Sequence, residues 1–129
     1  MPAAESYPDD LRYHSEHDWA RVDGDEAVLG VTWFAQDALG EVVFFDPPEV
    51  GKQVNKDEAY AEVGSVKAVS DVIAPLSGEI LEVNSALGDA PETLNDDPYE
   101  EGWMVKVRLS DVTEVDALMD VAAYRETLS

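Results

Sequence analysis

The middle of the chain, residues 52–84, is interrupted too often for helices. Residues 59–66 and 69–74 are small and β-branched, and Pro75-Leu76-Ser77-Gly78 forces a turn before the next apolar run at 79–83. Helices need roughly ten residues or more, whereas strands stop within about eight, so this spacing suits a small β sandwich or barrel rather than βαβ units. The flanks read the same way. Residues 19–22 and 27–31 are strand-like around the turn Asp23-Gly24-Asp25, residues 41–45 form a buried strand, and Pro47, Pro48 and Gly51 then bar regular structure.

Helical signals are short and lie outside that middle. Thr32 can cap a helix over Trp33–Leu39 that stops at Gly40. Residues 85–97 favour helix but are broken by Gly88 and Pro91, and residues 104–109 alternate like a half-buried strand. Ser110 can cap a helix bearing Val112, Val115, Leu118 and Met119, and Asp120 can cap a last one carrying Val121, Tyr124 and Leu128. A faint echo links Gly40-Glu41-Val42, followed by Gly51, to Gly78-Glu79-Ile80, followed by Gly88, as two related β units would. With 129 residues the expectation is one domain over residues 12–129, preceded by a loose leader at 1–11.

Charge narrows the function. Twenty-nine acidic against eight basic residues give a net −21, which disfavours nucleic acid and anionic membranes as partners. The acidic opening reads as neither a secretory signal nor an Arg-rich transit peptide, so the expected location is cytoplasmic. Without cysteine, the chain's own side chains offer no disulfide or thiol chemistry, and any redox work needs an attached group. His14 and His17 beside Glu16 and Asp18 suit ordinary strand and turn roles better than a metal site, and the pairs Asp96-Asp97 and Glu100-Glu101 read as a solvated acidic edge. No catalytic constellation is assigned.

One residue stands apart. Between Lys56 and Lys106 the sole base is Lys67, amid twelve acids. Gly64 and Ser65 precede it and Ala68 and Ser70 follow, which places an amine at the tip of a tight hairpin. A solvated charge is the ordinary fate of such a lysine.

The residues around it resemble a known family. Val63-Gly64-Ser65-Val66-Lys67-Ala68-Val69-Ser70-Asp71, followed by Ala74-Pro75-Leu76-Ser77-Gly78, is similar to the lipoyl-attachment segment of glycine cleavage system H proteins. Glu16-His17-Asp18-Trp19, Gly30-Val31-Thr32, the block from Leu39 to Phe44, Glu79 to Asn84, Asn95 to Tyr99 and Gly102-Trp103 follow that family's order, so the likeness spans about residues 12–128. Biotin carriers usually flank the lysine with methionines, where this chain has Val66 and Ala68.

The resemblance implies a mainly β protein with short helices: a barrel-sandwich hybrid, the flattened lipoyl/biotinyl-like β-sandwich, closed by C-terminal helices. It implies a non-catalytic carrier with lipoate held as an amide on Lys67 at a tip made of Ser65, Val66 and Ala68. Its implied partners are a pyridoxal-phosphate (PLP) glycine decarboxylase, a tetrahydrofolate-dependent aminomethyltransferase, dihydrolipoamide dehydrogenase and lipoylating enzymes. Two other roles stay open at this point: a relay donating lipoate to 2-oxoacid dehydrogenases, and an unlipoylated binding or regulatory module. One departure stands out. The family commonly has Glu three residues before the lysine, and here Gly64 stands in its place, with Glu62 two residues away on the same strand face.

Overall fold

The computed structural model of the protein describes residues 4–128. Two antiparallel sheets carry the fold. One has six strands in the order β1 (Arg12–His14), β2 (Asp18–Asp23), β3 (Glu26–Val31), β9 (Val105–Leu109), β8 (Gly78–Val83) and β5 (Gln53–Val54). The other has three, with β6 (Ala59–Ser65) between β4 (Val42–Asp46) and β7 (Val69–Ile73). Leu29, Val31, Ile80, Val105 and Val107 from the larger sheet and Val42, Phe45, Val63 and Val72 from the smaller share one buried cluster. Each such side chain contributes about 1.5–3 kcal/mol by leaving water. The mainly β, two-sheet fold with short helices is therefore as expected, and the Gly-Glu-aliphatic echo falls once in each sheet.

A second cluster is aromatic. Trp19 and Ala20 are adjacent on β2 and both fully buried, so this strand is covered on both faces. Tyr7, Leu11, Tyr13, Trp19, Tyr99 and Tyr124 pack together, with Tyr124 supplied by α4 (Val121–Leu128) and stacked on Tyr13 at 4.6 Å. Trp19 lies across Gly30, where a Cβ would come within 2.5 Å of its ring, and its indole donates to the Pro98 carbonyl.

Several expectations change. The leader is not loose from Tyr7 onward: Tyr7 and Leu11 are buried, the Tyr13 hydroxyl donates to the Pro8 carbonyl and the Tyr99 hydroxyl to that of Ser6. Isolated anchors without periodicity leave no strand or helix signature, which hides this packing from the sequence; residues 1–3 lie outside the described range. The helix expected after Ser110 is a 3₁₀ turn, Val112–Ala117, capped by Asp111, whose carboxylate accepts from the Thr113 amide. The Ser110 hydroxyl instead accepts from Gln53, and Met119 pairs with Tyr13 as an isolated bridge. Asp120 does cap α4, accepting from the Ala123 amide. Residues 85–97 split into α2 (Ser85–Asp89) and α3 (Thr93–Asp96), while the very short β1 and β5 had no sequence signature.

Candidate functional site

The β6–β7 hairpin presents Lys67. Its tip, Val66-Lys67-Ala68, is closed by the Ser65 amide donating to the Ala68 carbonyl at 2.8 Å. The Ser65 hydroxyl reinforces it, accepting from the amides of Lys67 and Ala68 at 3.3 Å each. Ser65 is buried while Val66 is 88% exposed, so the clasp faces inward and the tip faces water. The local sequence explains this: the serine makes a side-chain turn, and small neighbours leave the tip uncrowded.

The lysine is exposed, and among the described residues its amine enters no ion pair or side-chain hydrogen bond. Its stem leans on Gly40, the C-cap of α1 (Trp33–Leu39). A Cβ there would lie 3.2 Å from the Lys67 Cε, and Gly40 holds φ at 90°, a conformation glycine adopts without strain. Helix α1 is placed as its sequence suggested: the Thr32 hydroxyl accepts from the Ala35 amide, and Gly40 donates back to Gln36.

Two depressions flank the end of α1. One, about 380 Å³, runs between α1 and the hairpin, with Phe34, Ala38, Leu39, Ala68, Val69 and Ile73 on its walls. The other, about 400 Å³, is acidic and polar, lined by Asp37, Glu41, Glu92 and Asp96 around Gln36 and Asn95. The first shares Glu16, Ala35, Leu39, Ser70 and Asp71 with a smaller cavity of about 50 Å³. Asp18 lines that inner cavity.

Asp18 is a site residue whose part the sequence did not disclose. It is 2% exposed, and its Oδ2 has no hydrogen-bond partner among the described residues. Burial pushes its carboxyl well above the usual range, and the nearby Glu16 charge adds to this, against a backbone hydrogen bond from Ile73. A buried acid facing a cavity larger than the roughly 10–15 Å³ that one small polar molecule occupies is equipped to receive a donor, best of all an ammonium. Asp18 Oδ2 supplies that acceptor.

His17 forms part of the outer cleft wall. It adopts φ 72°, contacts Phe34 at 4.4 Å between ring centroids, and shares a 2.8 Å hydrogen bond between its Nδ1 and the Tyr124 hydroxyl. The same hydroxyl meets the Thr32 hydroxyl at 2.8 Å, so α4 is tied both to the cleft and to the cap of α1. Burial lowers the His17 pKa, against the neighbouring Glu16 charge, which raises it. His14 points elsewhere: its Nδ1 accepts from the Glu16 amide, which leaves Nε2 to donate to Asp57 at 2.6 Å. The two histidines thus serve separate networks. Asp97 is also more than a solvated edge, since its carboxylate accepts from the amides of Tyr99, Glu100 and Glu101.

An amine held out on a clasped hairpin, beside a cleft whose walls mix apolar side chains with carboxylates, suits a molecule that carries a tethered group. Comparison with known proteins gives the kind of carrier. Residues 11–129 match the glycine cleavage H-protein family. A glycine cleavage system H protein of Anaeromyxobacter sp. (strain K) is 54% identical over 118 residues, 92% of each chain. One from Symbiobacterium thermophilum is 51% identical over 117 residues, 91% of each chain. The crystal structure of a glycine cleavage system H protein from Mycobacterium marinum superposes with a TM-score of 0.87 at 39% identity, covering 95% of this chain and 98% of that one. The chain belongs to the glycine cleavage H-protein family. It is a non-catalytic lipoyl carrier of the glycine cleavage system, with the barrel-sandwich fold of that family.

Proposed function

We propose that Lys67 is the lipoylated residue and that the carrier serves glycine cleavage through it. The observation that carries this is an exposed amine, free of ion pairs among the described residues, on a hairpin clasped by Ser65. Amide formation there replaces a charged end with an apolar arm, and the apolar side chains on the wall of the neighbouring cleft suit such an arm. When attached, lipoate supplies a dithiolane that accepts the one-carbon amine of glycine and is later reoxidised.

This chain's residues hold rather than react. Ser65, Val66 and Ala68 fix the root of the arm, and Phe34, Ala38, Leu39 and Val69 give its hydrocarbon a place out of water. Asp18, with Glu16 and Asp71 nearer the mouth, receives the positive end of a loaded arm. Shielding the cargo between visits is what a carrier adds to a plain tether, whose gain is a high local concentration at each partner.

The partners this reading assigns are the PLP glycine decarboxylase, the tetrahydrofolate-dependent aminomethyltransferase, dihydrolipoamide dehydrogenase and the enzymes that attach lipoate, all acting in the cytoplasm. Residues 12–129 act as the single carrier domain, with the segment from Tyr7 packed onto it. Reconstitution tests the reading. Lipoylated protein supports exchange of bicarbonate into glycine by the decarboxylase, and Lys67→Arg, passed through the same lipoylation reaction, does not. Equal exchange by both would overturn it.

A further inference from the structure

The outer face of the three-stranded sheet carries two exposed apolar side chains, Val43 and Phe44, that line no part of the arm's cleft. A register shift between Val42 and Phe44 inserts Val43 as an extra residue in β4, so Val43 and Phe44 are both exposed next to the hairpin, at 47% and 37%. Phe44 pairs with Gly64, and Gly64 with Val69, itself 61% exposed. The Phe44 ring lies against the Gly64 backbone: a Cβ at that glycine would come within 1.9 Å of the ring. Gly64 is thus a seat for an aromatic ring. With Val66 at the tip, four large apolar side chains surround the root of the arm on a protein of net charge −21.

The next row on the same face is acidic. Asp46 pairs with Glu62 and Glu62 with Asp71, placing three carboxylates side by side across three strands. All three are exposed, and none joins an ion pair among the described residues. Like charges directly opposite one another weaken a sheet, so the row does nothing for the free protein. An apolar centre edged by unpaired carboxylates is complementary to an apolar contact edged by lysines and arginines. A second copy of this chain, with the same negative surface, is the wrong partner.

We propose that this face docks the enzyme that joins the lipoyl group to Lys67. The assignment rests on Lys67 as the attachment site and on reach. Enzymes that work on the end of the arm can stay an arm's length from the hairpin. The enzyme that forms the amide must bring its acyl group to Nζ itself, which lies against Gly40, three residues along from the Gly64–Phe44 seat. In that step Nζ, having lost one proton, attacks the carbonyl carbon of an activated lipoyl ester. The C–N bond forms, the leaving group departs with its electron pair, and nitrogen gives up a second proton to solvent.

The test is steady-state lipoylation of the full-length apoprotein by a purified ATP-dependent lipoate ligase, with free lipoate and ATP, followed by intact mass. Phe44→Ser and Glu62→Lys should each raise KM for the carrier about tenfold, the loss of one good interface contact, and leave kcat near wild type. Val50→Ser, an equally exposed apolar truncation beyond the far end of β4, should leave both unchanged. Unfolding midpoints check that each variant is folded. Wild-type KM in folded Phe44→Ser and Glu62→Lys would overturn the proposal, as would dimerisation of the wild type that Phe44→Ser abolishes. If wild-type protein takes up no lipoyl group on Lys67, it is the attachment reading that fails instead.

Discussion

Asp18 makes a prediction that can be worked through quantitatively. A carboxyl held well above its ordinary value of 3.8 keeps its proton in the folded state over a pH range where the unfolded chain has released it. The folded state then binds more protons than the unfolded state, so stability is lost as pH rises above about 4, by up to about 1.4 kcal/mol per pH unit, until the folded group ionises. Asp18→Asn keeps the shape, keeps an oxygen for the Ile73 amide and abolishes the titration. Urea unfolding of both proteins from pH 5 to 8 isolates the effect, because His17, Asp57 and every other titrating group are common to the pair and subtract. The variant should gain on the wild type as pH rises through the range in which the folded carboxyl keeps its proton. A stability difference constant across that range, to within a few tenths of a kcal/mol, would show that the acid is not held protonated and would remove the argument for Asp18 as the receiver of a cationic cargo.

Three further predictions concern packing and docking. Tyr124→Phe removes the hydroxyl shared by His17 and Thr32 and should cost about 1–3 kcal/mol in chemical denaturation, with faster amide exchange in α4 relative to the sheets. Gly30→Ala places a methyl within 2.5 Å of the Trp19 ring and should destabilise the protein by about 1–3 kcal/mol, with a change in tryptophan fluorescence; wild-type stability would contradict the packing described. With a net charge of −21, affinity for the glycine decarboxylase should fall as ionic strength rises from 0.05 to about 0.5 M, and a flat titration would exclude an electrostatic contribution to docking.

Much of the architecture is visible in the residues themselves. Thr32 and Gly40 mark both ends of α1 because cap chemistry is local, and the small residues around Lys67 mark the hairpin because turn chemistry is local too. What escapes is what depends on contacts across the fold. Asp18 sits among Glu16, His17 and Trp19, where nothing local marks a carboxylate as buried, yet pairing with Val31 on β3 and packing beneath α1 bury it. The Phe44–Gly64 seat depends on a bulge at Val43 that no residue of β4 signals. Tyr7 and Leu11 pack as single anchors, with no period to reveal them. The missing glutamate at position 64 was visible at once, but only the ring lying on that backbone explains what occupies its space.

The most direct test of the carrier account is peptide mapping by mass spectrometry of the protein isolated from cells that make lipoate. The account predicts a mass increase of one lipoyl group, confined to the peptide containing Lys67 and absent from Lys67→Arg. A lipoyl group found on another lysine, or protein that stays unmodified while glycine cleavage proceeds through it, would contradict the account.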